Sequence, residues 1–301
     1  MTTATTAPAA ASTPSKRRRR FRPADTVLTV WGLLGVAFLF FPIVVIVVFS
    51  FNNGRTLQTF DGFGIDAYTA ALSNPAITNS ITVSLITATG TAVVATLLGT
   101  CAGIALTRRS GRWAPALLVL LGLVMVTPEI VSAISLLPWF VTLGVDWGLS
   151  GFNVGQVRLI IANSLFASAV VTFIVRARMT GMNESLEEAA ADLYAPPLRR
   201  FTDITLPLIR PAVISGALLA FTLSLDNTVV SSFVSVAGST PWPVYIFASL
   251  KASLRPEIAA MSTLMLLLTL IVLAIAALIL RRDPTGSGGG AAGLTSAMVG
   301  R

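Results

Sequence analysis

The chain has 301 residues, of which 54% are hydrophobic and 11% are charged, and its mean hydropathy is +0.81. A soluble domain carries roughly 25% charged residues, so this composition predicts an integral membrane protein. With no histidine and a single cysteine, Cys101, the sequence excludes an intrachain disulfide, a cysteine–histidine zinc site and a histidine-based catalytic triad.

The chain begins with a predicted disordered basic tail over residues 1–25, which contains a cluster of Lys and Arg over residues 16–22. The apolar run that follows exceeds the roughly 7–15 residues of a signal-peptide core, which indicates a retained anchor. Six spans are predicted, over residues 26–51, 79–107, 113–143, 158–177, 208–233 and 257–280. Residues 26–282 therefore form one all-α transmembrane domain, and residues 283–301, rich in Gly, Ser and Ala, form a flexible tail.

The third span is too long for one straight crossing. Thr127-Pro128-Glu129 interrupts it, and Pro128 lacks a backbone donor, so we predict a kink or a second half-helix there.

The basic residues divide unequally between the two sides of these spans. Seventeen of the twenty-one Lys and Arg residues lie on the side of the N-terminus. Cytoplasmic segments carry such an excess, so both termini are predicted to be cytoplasmic. The net charge of +8 then follows mostly from topology, with some attraction of the N-terminal cluster to anionic lipid, and nucleic acid is not a predicted partner.

A charged segment, residues 184–207, separates the fourth and fifth spans. Glu184 to Leu193 has the composition of a helix, with acids near its start and three alanines within it. Pro196-Pro197 is expected to end that helix, and a short connector, Leu198 to Ile204, leads into the fifth span. On composition alone, a solvated loop with charges at a helix end explains this segment equally well.

The spacing within the segment is more specific. Glu188-Ala189-Ala190 is followed after three residues by Tyr194, after nine more by Ile204, and then by Leu206-Pro207. This pattern resembles the E-A-A-x3-G-x9-I-x-L-P signature of type I ABC importer permeases, with Tyr194 in the place of the glycine. A tyrosine seldom adopts the left-handed conformation that glycine takes there. Either the turn is reshaped around Pro196-Pro197, or Tyr194 adds an aromatic contact to the ATPase of such an importer.

Further stretches within residues 75–280 resemble the second permease of spermidine/putrescine transporters: Leu218–Asn227, Ser231–Val234, Pro243–Ile246 and Arg255–Ile258. The resemblance implies six transmembrane helices in the bacterial inner membrane, a second permease subunit, two ATPase subunits and an extracytoplasmic solute-binding protein. It also implies a cytoplasmic coupling helix that contacts the ATPase, with candidate residues Glu187, Glu188, Ala189, Ala190, Asp192, Tyr194, Ile204, Leu206 and Pro207.

The chain has no Walker A pattern, G-x4-G-K-[ST], so ATP would be bound and hydrolysed by a partner. We predict no catalytic residue, no metal site and no cofactor of its own.

Two acids lie inside the predicted spans, where ionisable groups are costly and often functional. Asp226, with Asn227 and Thr222 nearby, is expected to line the path of a cationic substrate or to hold helices together. Glu129 lies at a similar depth, but Thr127-Pro128-Glu129 also has the sequence of a helix start, where an acid is favoured structurally.

The predicted function is thus the permease subunit of an ATP-driven importer, most simply for a polyamine. The polyamine-like pattern often has a second acid where this chain has Asn227, and permeases for ferric iron, thiamine or sulfate share the architecture. A stand-alone secondary transporter or channel is the alternative from another class, and a membrane-embedded enzyme has little support.

Two aromatic residues follow the fifth span. Trp242 and Tyr245 are expected to form part of an interfacial aromatic belt or to face a cation.

Overall fold

A computed structural model describes residues 23–54, 56–108, 111–183, 185–252 and 255–281. Within these ranges the elements are helices joined by turns and loops, with one isolated antiparallel bridge between Asn52 and Phe63, in agreement with the predicted all-α class. The helices are α1 (Pro23–Phe49), α2 (Asp66–Ser73), α3 (Pro75–Arg108), α4 (Ala114–Val126), α5 (Glu129–Val141), α6 (Gly155–Thr180), α7 (Ser185–Asp192), α8 (Pro197–Arg200), α9 (Leu206–Asp226), α10 (Val229–Val234), α11 (Trp242–Ala252) and α12 (Pro256–Arg281).

The chain divides into two compact units, residues 1–45 and residues 46–301. The described part of the first unit is most of α1, an apolar helix whose side chains from Val27 to Val44 are exposed. The second unit contains the remaining helices and the buried core.

Six helical segments are long and apolar enough to cross a membrane, which confirms the predicted number: Val27–Phe49, Pro75–Arg108, Glu129–Asp146, Gly155–Thr180, Pro197–Asp226 and Pro256–Ile275. The predicted tails and the basic cluster of residues 16–22 lie outside the described residues. The last three residues of the predicted N-terminal tail, Pro23–Asp25, are described, and they form the first turn of α1.

The third span is interrupted where the sequence predicts. α4 ends at Val126, Thr127 and Pro128 are extended, and α5 begins at Glu129. Of the predicted helix start Thr127-Pro128-Glu129, Pro128 is the N-cap of α5, whereas the Thr127 hydroxyl donates back to the Leu123 carbonyl at 2.7 Å and belongs to the end of α4.

The fifth span is also interrupted, which the sequence prediction of one helix over residues 208–233 missed. α9 ends at Asp226, Asn227 is extended with φ −71° and ψ 99°, and α10 begins at Val229. The helix can restart there because the Asn227 side chain caps α10, as described below.

Three helices, α3, α6 and α9, pack against one another and form the centre of the second unit. Glycines allow their close approach. A Cβ built on Gly99 of α3 would lie 2.6 Å from Val171 Cβ of α6, and one on Gly103 would lie 3.0 Å from Val175 Cβ. Small residues permit this kind of backbone contact between membrane helices, where van der Waals packing replaces the hydrophobic effect.

We expect Gly99→Val to separate α3 from α6, because Val171 and the Ser168 carbonyl, 2.9 Å from the same Cβ position, both have to move. Overpacking of this kind costs about 1–3 kcal/mol. Thermal unfolding of the purified chain in detergent measures the effect. Gly32→Val on α1 is the control, since nothing lies within 4 Å of its Cβ, and equal melting temperatures for the two variants would contradict the packing described.

Trp242, at the start of α11, differs from its prediction. Trp242 is buried, its ring stacks on Tyr245 with centroids 5.6 Å apart, and its backbone N–H donates to the Ser84 hydroxyl of α3 at 2.7 Å. Trp242 therefore belongs to the packing between α11 and α3, and the expectation that it lies in an interfacial belt or faces a cation is wrong.

Candidate functional site

The charged segment between the fourth and fifth spans lies at the end of the molecule where α3 and α6 finish and α9 begins. Arg108, Arg178 and Arg200 also lie there, and we call it the basic end. The segment consists of α7, a turn, and α8, which continues through a π-helical turn, Phe201–Thr205, into α9. The predicted connector is thus helical, and it is continuous with the fifth span.

Backbone hydrogen bonds, and not the two prolines, terminate α7. The Ala195 N–H donates to the Ala190 carbonyl at 3.0 Å, and the Tyr194 N–H donates to the Ala191 carbonyl at 2.9 Å. This pair of bonds is a Schellman motif, in which the residue after the helix cap takes a left-handed conformation. Tyr194 does so, with φ +58°.

The backbone at Tyr194 is thus the one that the signature glycine would adopt. Of the two expectations for this position, a reshaped turn is wrong, because the left-handed turn forms before Pro196 and Pro197 begins α8. The Tyr194 side chain is 96% exposed, and among the described residues it has no hydrogen bond or ring contact to offset the strain.

Glu187 of α7 is held by the membrane helices. Its carboxylate accepts two hydrogen bonds from the Arg108 guanidinium at the end of α3, and a third from the Thr205 hydroxyl just before α9. The Glu187 side chain is only 14% exposed and that of Arg108 is 36% exposed. A bidentate, charge-assisted pair of this kind fixes both partners in position. We call Arg108, Glu187 and Thr205 the α7 tether, and among the described residues it contains the only ion pair.

The tether lines a cavity of about 230 Å³ at the basic end, together with Ile104, Pro197, Arg200 and Phe201. From the sequence we predicted that Glu187 contacts a partner protein. In the structure its carboxylate is instead hydrogen-bonded to Arg108 and Thr205 of the same chain. Arg108 and Thr205 were not singled out, because nothing local in the sequence indicates a pairing across 79 residues.

The other predicted coupling residues lie around α7 and at the start of α9. Glu188, Ala189 and Asp192 are exposed on α7, and Ala190 is half-buried. Ile204 is half-buried, while Leu206 and Pro207 are exposed in the first turn of α9. This leaves an exposed surface on α7 and on the turn after it.

The two predicted membrane acids both lie where a span is interrupted. Glu129 is the first residue of α5 and Asp226 is the last residue of α9, directly before α10. α5 and α10 contact each other, and Ala133 and Val230, each four residues beyond one of the acids, belong to one buried apolar cluster. Because the third and fifth spans cross in the same direction, the two acids lie at the same end of the α5–α10 pair.

Both carboxylates are exposed, and among the described residues neither has a hydrogen bond or an ion pair. Their electrostatic settings differ. Glu129 lies at a helix N-terminus, where the dipole stabilises an acid, whereas Asp226 lies at the C-terminus of α9, where the carbonyl groups favour a cation. A bare carboxylate is therefore disfavoured at Asp226 unless a positive charge lies beside it.

The Asn227 side chain binds the first turn of α10. Its Oδ1 accepts hydrogen bonds from the Val230 N–H at 3.0 Å and from the Ser231 N–H at 3.4 Å, which caps α10. Thr222, the other predicted neighbour, donates its hydroxyl to the Leu218 carbonyl one turn back in α9. Ser224 and Ser231 lie on opposite sides of the break at Asn227, in α9 and α10.

Ser224 instead belongs to a buried polar group that the sequence did not reveal. The Asn163 amide of α6 donates to the Ser224 hydroxyl at 3.2 Å, and that hydroxyl donates to Thr91 of α3 at 3.2 Å. These bonds join α3, α6 and α9 at the depth of the break at Asn227.

We expect Asn227→Ala to destabilise α10 by about 1 kcal/mol, as for other lost helix caps. Asn227→Asp keeps an oxygen acceptor and is expected to retain the cap. The melting temperatures of both variants, measured beside that of the unaltered protein, test this. If alanine and aspartate lower the melting temperature equally, the cap is not the role of Asn227.

Comparisons with known proteins agree with this architecture. Residues 95–283 match the family described as "Binding-protein-dependent transport system inner membrane component". The chain is 37% identical over 235 residues to the putrescine transport system permease protein PotI of Escherichia coli (strain K12), which covers 78% of this chain and 83% of that protein. It is 36% identical over 247 residues to the spermidine/putrescine transport system permease protein PotC of Haemophilus influenzae, covering 82% and 93% of the two chains.

Among solved structures, the chain resembles a bacterial ABC transporter involved in the import of the acidic polysaccharide alginate. The TM-score is 0.63 at 17% identity, covering 86% of this chain and 99% of the other. At this identity the likeness supports the fold.

Proposed function

The chain belongs to the binding-protein-dependent transport system inner membrane components and is a permease subunit of an ABC importer, and from this premise we propose that its solute is a polyamine. Two similar relatives, which cover most of the chain, are named as putrescine and spermidine/putrescine permeases. Polyamines are cations at neutral pH, because the pKa of an alkylammonium group is about 10.4.

The observation that carries this proposal is the setting of Asp226. An unpaired carboxylate within the membrane-embedded part of the chain, here at the break between α9 and α10, is costly in lipid, so it faces a protein surface or a water-filled cavity. Its place at the carbonyl end of α9 favours a cation further. Interrupted membrane helices commonly form solute sites near the middle of the bilayer. Asp226 is thus suited to attract an ammonium group in the translocation path, with Glu129 at the same level and Thr222 on the adjoining turn of α9.

The same two acids support a second permease subunit as partner. Both are exposed on this chain, and a lipid-facing surface cannot hold them at low cost. A second subunit against this face would enclose a path between the two chains. An extracytoplasmic solute-binding protein would deliver the solute to it.

The basic end would face the cytoplasm, as the distribution of Lys and Arg predicts, and two ATPase subunits would bind there. The exposed surface of α7 and the start of α9 would contact them. Movement of α7 would pass through the α7 tether to α3 and α9, the helices that also carry the core and Asp226. ATP binding and hydrolysis by the partners would thus shift the permease between outward-facing and inward-facing states.

Purification of the chain from native membranes through an affinity tag tests this assignment. We expect an ATPase subunit and a second permease to co-purify, and the ATPase activity of the complex to rise with the loaded binding protein. A binding protein loaded with putrescine or spermidine should stimulate it, whereas thiamine, sulfate and ferric iron should not. Recovery of the chain with no ATPase would instead favour a stand-alone transporter.

A further inference from the structure

The cavity beside the α7 tether carries a positive charge that the described part of the chain does not offset. Its charged lining consists of two arginines, Arg108 and Arg200, and one acid, Glu187. Arg108 pairs with Glu187, so the charge of Arg200 is left over. Arg200 is half-buried, and its side chain has no ion pair or hydrogen bond among the described residues. The charge of the cavity therefore favours an anion as its ligand.

One atom of Arg200 shows where such an anion has to bind. The Nε atom is buried and has no hydrogen-bond acceptor within the described chain. A buried N–H group without an acceptor is unfavourable, and more so when the group is charged. The nearby carboxylate of Glu187 already accepts hydrogen bonds from Arg108 and Thr205. An oxygen acceptor from outside the chain would satisfy the Arg200 Nε–H and offset its charge at once.

The cavity lies at the level where the membrane meets water. Arg108 is the last residue of α3, and Arg200 lies in the first turn of the membrane-crossing segment Pro197–Asp226. Phospholipid head groups occupy this level. Apart from Thr205, the rest of the lining is apolar: Ile104, Pro197 and Phe201. A phospholipid joins a phosphate to apolar chains and so complements both parts of the lining, whereas a free phosphate would leave the apolar part against water.

We propose that this cavity binds the phosphate group of an anionic phospholipid, and that Arg200 holds it. A guanidinium group presents paired N–H donors that match two phosphate oxygens. Basic pockets between membrane helices bind anionic head groups in this way. The bound lipid joins the start of the fifth span to the end of α3, beside the α7 tether. The inference goes beyond the proposed function, because it requires neither a particular solute nor an ATPase.

Three substitutions separate a specific site from the general attraction of a basic surface. Arg200→Gln removes the charge, and Arg200→Lys keeps the charge but loses the paired donors. Arg199→Gln is the matched control, because Arg199 is the neighbouring residue, is exposed and does not line the cavity. The full chain is purified and delipidated in a maltoside detergent. Native mass spectrometry then measures the affinity for added phosphatidylglycerol, with and without inorganic phosphate as competitor.

We expect Arg200→Gln to weaken phosphatidylglycerol binding roughly tenfold, Arg199→Gln to change it by less than about twofold, and Arg200→Lys to fall between them. The melting temperature of the lipid-free Arg200→Gln chain should be unchanged or higher, since an unpaired buried charge is removed, and this separates lost binding from misfolding.

Equal losses in the two Gln variants would overturn the proposal, because the lipid would then be attracted by the basic surface as a whole. Displacement of the lipid by an equal concentration of inorganic phosphate would overturn the assignment to a lipid and leave free phosphate as the ligand. Recovery of the chain without an ATPase, which would contradict the proposed function, leaves this test unaffected.

Discussion

Replacing Asp226 by asparagine is expected to reduce polyamine uptake roughly thirtyfold while leaving assembly of the importer intact. The carboxylate is exposed at the carbonyl end of α9, with no partner among the described residues. Loss of a charge-assisted contact costs about 2 kcal/mol, and each 1.4 kcal/mol corresponds to a factor of ten. Uptake of labelled putrescine by proteoliposomes containing the whole importer provides the measurement.

Two variants serve as controls for this result. Asp226→Glu keeps the charge and should retain most of the uptake. Glu129→Gln should have a smaller effect than Asp226→Asn, because Glu129 lies at a helix N-terminus that stabilises its charge without a ligand. Undiminished uptake by the Asp226→Asn importer would rule out the pathway role of this carboxylate.

Reversal of either charge in the α7 tether is expected to uncouple ATP hydrolysis from transport. Arg108→Glu or Glu187→Arg places like charges against each other at the joint between α7 and the membrane helices. We expect each single variant to lower the amount of solute moved per ATP by about tenfold. The pair is partly exposed, so its own contribution is about 1–2 kcal/mol.

The double variant, with the two charges exchanged, distinguishes coupling from general damage. It restores an ion pair and should regain a substantial part of the transport per ATP. Arg112→Glu is the matched control, since Arg112 is exposed near the same end and belongs to no ion pair in the described chain. Full coupling in either single variant, or a double variant no better than the singles, would contradict a role for the tether.

The spans and the break at Pro128 could be predicted because their signals are local. Apolar runs of sufficient length must be helices in a bilayer, and a proline without a backbone donor interrupts them wherever it occurs. The break at Asn227 has no such signal. It depends on one side chain turning back to cap α10, and an asparagine after an aspartate gives no indication of this by itself.

The same contrast between local and non-local signals explains why only part of the candidate site could be predicted from the sequence. The acids Asp226 and Glu129 were identified because charge is rare in a span, and the α7 segment was identified by its spacing. The α7 tether was missed because it joins three residues far apart in the chain. Tyr194 was recognised as a departure from the family pattern, but only the structure distinguishes a reshaped turn from a strained one.

ATP-driven uptake of labelled putrescine tests the central claim most directly. The chain is reconstituted with its partner permease, its ATPase subunits and its binding protein in proteoliposomes, with ATP supplied on the side of the ATPase. We predict uptake that requires both ATP and the binding protein and that unlabelled spermidine inhibits. Uptake that proceeds without ATP or the ATPase, or an assembled importer that hydrolyses ATP but moves no polyamine, would contradict it.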